Sequence, residues 1–168
     1  MKGVDVDVEH GFENEEMINE TVKTYSASIL RFAFSYVRNH FDAEDIAQDV
    51  FVALIQNVPQ FEDEHQKKSW LMKVTSNMCK DFLRSSHRKR TTTLPDELGY
   101  IAKDSSDLIY YVLSLETKYR IPIHLFYYEG YSIKEIAEII GKNSATVGTW
   151  LSRGRAKLST KIGDDFCE

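Results

Sequence analysis

Apolar residues recur along the start of the chain at the alternating three- and four-residue spacing of a helix face. Ile18, Val22, Tyr25, Ile29, Phe32 and Tyr36 form such a stripe, so a long amphipathic helix is expected from about Asn14 to Val37. A second helix is expected from a cap at Asp42 to about Asn57, with Pro59 as its stop. Ala43, Ile46, Val50, Ala53 and Leu54 make its inward side, while Asp45, Gln48, Asp49, Val52 and Gln56 make an outward ridge. A third helix spans about Gln66 to Ser86. There Leu71, Val74, Met78 and Phe82 align inward, opposite Trp70, Lys73, Asn77, Lys80, Asp81, Arg84 and Arg88. Periodicity then lapses, and Thr91 to Asp104 reads as a linker rich in turn formers. Helical spacing returns from about Ser106 to Tyr128, where Pro122 is expected to break the run or to sit in a first helical turn.

The segment SIKEIAEIIGKNSATVGTWLSRGRAK, from Ser132 to Lys157, carries the spacing of a helix-turn-helix. Ser132 and Glu135 form a capping box, Ala137 lets two helices approach, and Gly141 suits the positive φ of a tight turn. Ser144 is the expected cap of the second helix. Val147, Trp150, Leu151, Gly154 and Leu158 share that helix's inward face, whereas Ala145, Gly148, Thr149, Ser152 and Ala156 point away. A unit of this kind places its second helix in the major groove of DNA. From Lys142 to Lys161 the chain carries Lys142, Arg153, Arg155, Lys157 and Lys161 and no acid, which suits phosphates. The plainer reading is a helical hairpin with a solvated basic face. These patterns give an all-α fold of two small helical domains joined by a flexible linker, the C-terminal one containing the helix-turn-helix. The expected units are an acidic tail at 1–20, a helical domain at 21–90, the linker at 91–104 and the helix-turn-helix domain at 105–168.

A net charge of −5 looks wrong for a DNA binder until it is divided along the sequence. Residues 1–20 hold seven acids and one lysine, so the remainder sums to +1, and within it the cations cluster. Arg84, Arg88, Lys89 and Arg90 make a second basic group beside the C-terminal one. An acidic total weakens autonomous DNA binding, so delivery by another protein is expected. Trp70 among cations suits stacking on bases and holding a single strand, unless it folds back onto the preceding loop as core. Periodicity alone favours a solvated charged face for the α2 ridge, and the apolar Val52 amid its acids adds the alternative of a protein contact. Cys79 and Cys167 are too few for a disulfide framework or a zinc site and are expected as free thiols. Glu62 and His65 have a di-metal spacing but no second copy, so a solvated loop is expected there. No metal, cofactor, catalytic residue or small-molecule substrate is expected. With no membrane-length apolar run and no signal-like N-terminus, the protein is expected to be cytoplasmic.

Three ordered blocks, DAEDIAQDVF, SWLMKVTSNMCKDFLRSSHRKR and YYEGYSIKEIAEIIGKNSATVGTWLSRGRAKL, resemble those of the extracytoplasmic-function sigma factors of bacterial RNA polymerase. The likeness runs from about Tyr25 to Ile162. It implies a non-catalytic initiation factor whose partners are core RNA polymerase and promoter DNA. The ridge of Asp45, Gln48, Asp49 and Val52 would meet a polymerase coiled coil. Trp70, Lys73, Asn77, Lys80, Arg84, Arg88, Lys89 and Arg90 would melt the minus-ten element and capture its strand, with Gln60 to Lys68 receiving a flipped base. Ser144, Thr146, Thr149, Ser152, Arg153, Arg155 and Lys157 would read the minus-thirty-five element, and the linker would pass near the RNA path. The family is commonly held inactive by an anti-sigma factor, often membrane-bound, wedged between the domains. Gly148 departs from the usual Lys or Arg, Pro122 interrupts a helix often continuous, and the acidic start matches nothing in the family and is expected as a disordered tail. A stand-alone helix-turn-helix regulator is the alternative, but it would need an effector pocket or dimer interface that the pattern does not supply.

Overall fold

The computed structural model describes residues 5–57, 59–89 and 107–165, with side chains described for 14–57, 59–85 and 108–163. Among them are seven helices: α1 Asp5–Val37, α2 His40–Asn57, α3 Glu64–Lys89, α4 Asp107–Leu113, α5 Thr117–Tyr127, α6 Ile133–Ile140 and α7 Ser144–Asp165. The first three pack together as one half, and the last four as the other. The expected linker at 91–104 lies outside the described residues, as do Arg90 and Cys167.

The helix starts correct the sequence reading in a consistent direction. α1 begins at Asp5, so the acid-rich segment from there to Glu20 is helical rather than a disordered tail. Glutamate is a good helix former, and nothing in the segment forbids the fold. α2 is capped by Asn39, whose Oδ1 accepts from the Asp42 N–H at 2.9 Å, so Asp42 lies inside the helix. α3 is capped by Asp63, whose Oδ1 accepts from the Gln66 N–H at 2.7 Å. α7 is capped by Asn143, which accepts from the Thr146 N–H at 2.7 Å, leaving Ser144 as the first helical residue. Each segment offers several cap-competent residues, and backbone conformation selects among them.

Pro122 neither breaks a helix nor starts one; it lies buried inside α5. The break falls upstream, between Leu113 and Thr117, and Arg120 explains its place. This side chain is 2% exposed, and its guanidinium donates to the carbonyls of Leu113 at 3.0 Å and Leu115, and to Thr117 Oγ1 at 3.1 Å. It also reaches across to the Ser35 carbonyl in the last turn of α1. There a cation meets unpaired carbonyls and the negative end of a helix dipole. Arg38, next in the chain, takes φ of 53° as α1 ends.

The core on α1 and α2 follows the expected stripes. Ile29, Phe32 and Tyr36 are buried, as are Ala43, Ile46, Ala47, Val50 and Leu54. On α3 the buried line is displaced. Leu71 is buried, but its companions are Met72, Thr75, Ser76 and Cys79, while Val74, Met78 and Phe82 are only half-buried. Thr75 and Ser76 tolerate burial because Thr75 donates to the Leu71 carbonyl at 2.8 Å and Ser76 bonds the Tyr36 hydroxyl at 2.7 Å. The displacement follows from α3 packing against α6 as well as α1 and α2. Cys79 is a free, buried thiol that burial pushes up to about 12.

Candidate nucleic-acid interface

The helix-turn-helix closes through the local chemistry of its turn. Ser132 caps α6, the Glu135 carboxylate returns to the Ser132 N–H at 2.8 Å, and both halves of the capping box are present. Gly141 takes φ 69° and ψ 45°, a left-handed conformation costly for residues with a Cβ. The Lys142 N–H donates to the Ala137 carbonyl at 2.9 Å. Val147, Leu151 and Gly154 are then buried, with Trp150 and Leu158 half-buried beside them. Gly154 is demanded by proximity, since a Cβ there would stand 2.6 Å from Ile123 Cδ1 of α5.

That packing leaves Ser144, Ala145, Thr149, Ser152 and Arg153 exposed, with Thr146 and Gly148 partly so. Gly148 has no atom within 4 Å of a built Cβ, so it is not there to avoid a clash. The expected basic set divides. Arg153, Arg155 and Lys157 are all exposed, but Arg155 also lies over the rings of Phe126 and Tyr127 at 5.5 and 5.9 Å. Lys157 sits 3.6 Å from Glu116 and 5.5 Å from the Tyr119 ring centroid. Both therefore also serve to hold α7 on α5.

On α3, Lys73, Asn77 and Arg84 are exposed, and Arg84 pairs with Asp81 one turn away. Trp70 is half-buried, its ring edge-on to Phe61 at 5.8 Å. Phe61 belongs to the loop before α3, so Trp70 folds back partly as core. Lys80 is half-buried and donates to the Ile140 carbonyl at 2.7 Å, the last residue of α6. Burial, with Lys142 and Arg84 nearby, lowers its pKa. Arg88 and Lys89 belong to the last turn of α3. His65 is in the first turn of α3 rather than a loop, its Nε2 2.6 Å from Glu135 Oε1. Among the described residues no cluster of His, Cys, Asp or Glu could hold a metal, and no helix is long and apolar enough to cross a membrane.

The ridge on α2 matches its helical wheel. Asp45, Gln48, Asp49, Val52 and Gln56 are all exposed, with Val52 at 47%. Ile55, 53% exposed, extends it and escaped the sequence reading, although it follows Val52 by three residues. A groove of about 450 Å³ beside the ridge is walled by Ile46, Met78 and Phe82.

A capped helix-turn-helix joined to a helical unit with its own basic surface defines a two-part DNA-binding protein. Residues 21–89 match Sigma-70 region 2 and residues 106–158 match Sigma-70, region 4. RNA polymerase sigma factor SigV of Bacillus subtilis (strain 168) is 32% identical over 139 residues, covering 79% of this chain and 82% of SigV. ECF RNA polymerase sigma factor SigW of the same organism is 25% identical, covering 90% of this chain and 91% of SigW. CnrH, solved in complex with the cytosolic domain of CnrY, superposes with a TM-score of 0.65 at 25% identity, covering 90% of each chain. RpoE, solved with the anti-sigma factor NepR from Bartonella quintana, shares the fold with a TM-score of 0.68 at 21% identity, over 86% of this chain and 96% of RpoE. The chain belongs to the extracytoplasmic-function sigma factors, the non-enzymatic subunits that direct bacterial RNA polymerase to promoters. Both regions in one polypeptide set aside the stand-alone regulator.

Proposed function

We propose that this sigma factor divides promoter work between its halves, α7 reading the upstream duplex and α3 trapping the strand opened at the minus-ten element. One observation carries the reading: Thr149, Ser152 and Arg153 stand exposed on α7 while Val147, Leu151 and Gly154, on its other side, are locked into the core. Short polar side chains there meet base edges and Arg153 meets a phosphate. Asn77, Lys73 and Arg84 supply an amide and cations to an unstacked strand. Trp70 would add a stacking ring once it leaves Phe61 and the core it packs against. Asp45, Gln48, Asp49 and Val52 form the polymerase contact, which supplies the affinity that an acidic chain lacks for DNA. The division into units 21–90 and 105–168 follows the same split. An anti-sigma factor, in the manner of the partners solved with RpoE and CnrH, regulates the protein, which works in the cytoplasm beside the polymerase.

Transcription from a promoter library with purified core polymerase, with and without this chain, tests the reading. Asn77→Ala, at an exposed position, is the discriminating variant. Thymine reactivity across the start site should fall about tenfold, the equivalent of about 1.4 kcal/mol, while protection of the upstream duplex stays unchanged. Equal loss of both would sink the division of labour.

A further inference from the structure

A chamber of about 790 Å³ lies where the end of α1 and the start of α2 meet α4 and α5. Its walls follow from helical period. Leu30 and Phe34 stand one turn apart on α1, on a line beside the core stripe of Ile29, Phe32 and Tyr36. On α4, Ile109, Val112 and Leu113 share a face at the same spacing. The His124 ring, stacked on Tyr128 at 5.3 Å and lying 5.4 Å from Phe32, forms a further stretch of wall. Phe41, 73% exposed, and Tyr128 stand at the rim. Concave, mostly apolar sites of this volume with few polar groups are where small molecules bind.

The polar groups of the chamber decide what it can take. Ser35 is buried and donates to the Phe32 carbonyl at 2.7 Å, and His40 lies 3.1 Å from Glu44 of its own helix. Arg31 differs from both, being exposed and, among the described residues, without a hydrogen-bond or ion-pair partner. No described acid lines the chamber, so the charge that complements it is negative. A guanidinium grips a carboxylate through two parallel N–H donors. The apolar lining is mainly aliphatic, from Leu30, Ile109, Val112 and Leu113, and suits a flexible chain more than a flat ring. A helix with its side chains is roughly 10–12 Å across and rises about 5.4 Å per turn, so the chamber is too small for two turns of one.

We infer that this chamber is a binding site for the anion of a fatty acid, with the chain among Leu30, Phe34, Ile109 and Val112 and the carboxylate on Arg31. None of these side chains is among those placed above at DNA or polymerase. Because α1 and α2 belong to one half and α4 and α5 to the other, the ligand touches both at once and stabilises the arrangement it binds.

Calorimetric titration of the full chain with decanoate, held below its micelle concentration, tests the site. One molecule should bind per chain, and affinity should rise about fourfold per methylene from octanoate to decanoate. Ile109→Trp, at a half-buried position, puts an indole in the chamber and should abolish binding. Arg31→Gln, at an exposed position that leaves the fold intact, should weaken decanoate about fivefold and leave decanol unchanged. A decanoate carrying a photoreactive diazirine should label the stretches of α1, α2 and α4 that line the chamber. No uptake by the wild type would overturn the inference and leave the chamber to a protein partner or to another part of the chain. Uptake indifferent to Ile109→Trp, labelling elsewhere, or an equal loss of decanoate and decanol on Arg31→Gln would overturn it as well.

Discussion

On α7 the turn is fully formed and Ser152 and Arg153 stand at the surface, while Thr149 donates to the Ala145 carbonyl and Arg155 and Lys157 lie against α5; on α3 Lys73 and Asn77 are exposed, but Trp70, Lys80 and Arg84 are engaged by residues of three different segments. Arg153 and Ser152 need no rearrangement, because Val147 and Leu151 hold the helix and Gly141 fixes its entry, whereas the Thr149 hydroxyl donates to the Ala145 carbonyl at 3.0 Å. Lys80 is bonded to Ile140, Trp70 packs on Phe61 and Arg84 is paired with Asp81. A duplex offers its groove ready-made, so a rigid reader suffices. A single strand exists only after opening, and under the role proposed for α3 its captor starts with Trp70, Lys80 and Arg84 engaged. The difference teaches that two basic surfaces of similar composition are prepared to different degrees.

The sharpest way to break that comparison is to remove the residue common to both halves. Arg120→Ala leaves buried carbonyls of Ser35, Leu113 and Leu115 without a donor and should destabilise the protein by roughly 3 kcal/mol. Differential scanning calorimetry should show the transitions of the two halves separating; a single unshifted transition would contradict the role. Gly154→Ala presses a methyl onto Ile123 and Tyr119, and the overpacking, less the roughly 1 kcal/mol by which alanine favours helix over glycine, should cost about 0–2 kcal/mol net. Its effect should fall on the helix-turn-helix half alone, read by hydrogen exchange in α5 and α7 against α1 and α2.

Acid provides a gentler probe of the contacts by which Glu129, in the turn after α5, accepts from Ser28 of α1 at 2.7 Å and pairs with Lys68 of α3 at 3.0 Å. Burial pushes the Glu129 carboxyl up, but His124, Ser28 and Lys68 together outweigh it and hold the group at about 2, below its ordinary 4.5. A carboxylate lowered on folding stabilises fully above its unfolded value and loses that contribution as pH falls through the folded one. The stability that Glu129 contributes to the fold should therefore be full above pH 4.5 and fade towards pH 2, read by thermal melts across that range. Glu129→Gln should flatten this profile; an identical profile would remove Glu129 from the account. The smallest expected effect is that of Arg153→Ala, which should lower the salt slope of upstream DNA binding by the holoenzyme by about one phosphate. If Arg155→Ala lowered the slope more, the duplex contact would belong to the residue now lying over Phe126 and Tyr127.

Much of the architecture was legible because it rests on local rules. The capping box at Ser132 and Glu135, the left-handed Gly141 and the inward line of Val147, Leu151 and Gly154 stand where spacing puts them. The α2 ridge also matches, since a helix packed on one side only buries the stripe its own period dictates. On α3 the same rule picked Val74, Met78 and Phe82 over Met72, Ser76 and Cys79, because two separate surfaces press on that helix. The caps at Asn39 and Asn143 lie beside the expected Asp42 and Ser144, which have the same capping chemistry, and the cap at Asp63 has no counterpart in the sequence reading.

The sequence by itself determined the helical class, the faces of α2 and α7, the recognition turn and the family resemblance, for these depend on propensity, period and residues close along the chain. Tertiary structure alone decided where the cations go. Arg155 and Lys157 turn towards Phe126, Tyr127, Tyr119 and Glu116, Lys80 finds a carbonyl sixty residues away, and Glu129 meets Ser28 across a separation of 101. A long cationic side chain has many rotamers and no periodicity to obey, so its partner is set by whichever acid, ring or helix end the fold brings within reach.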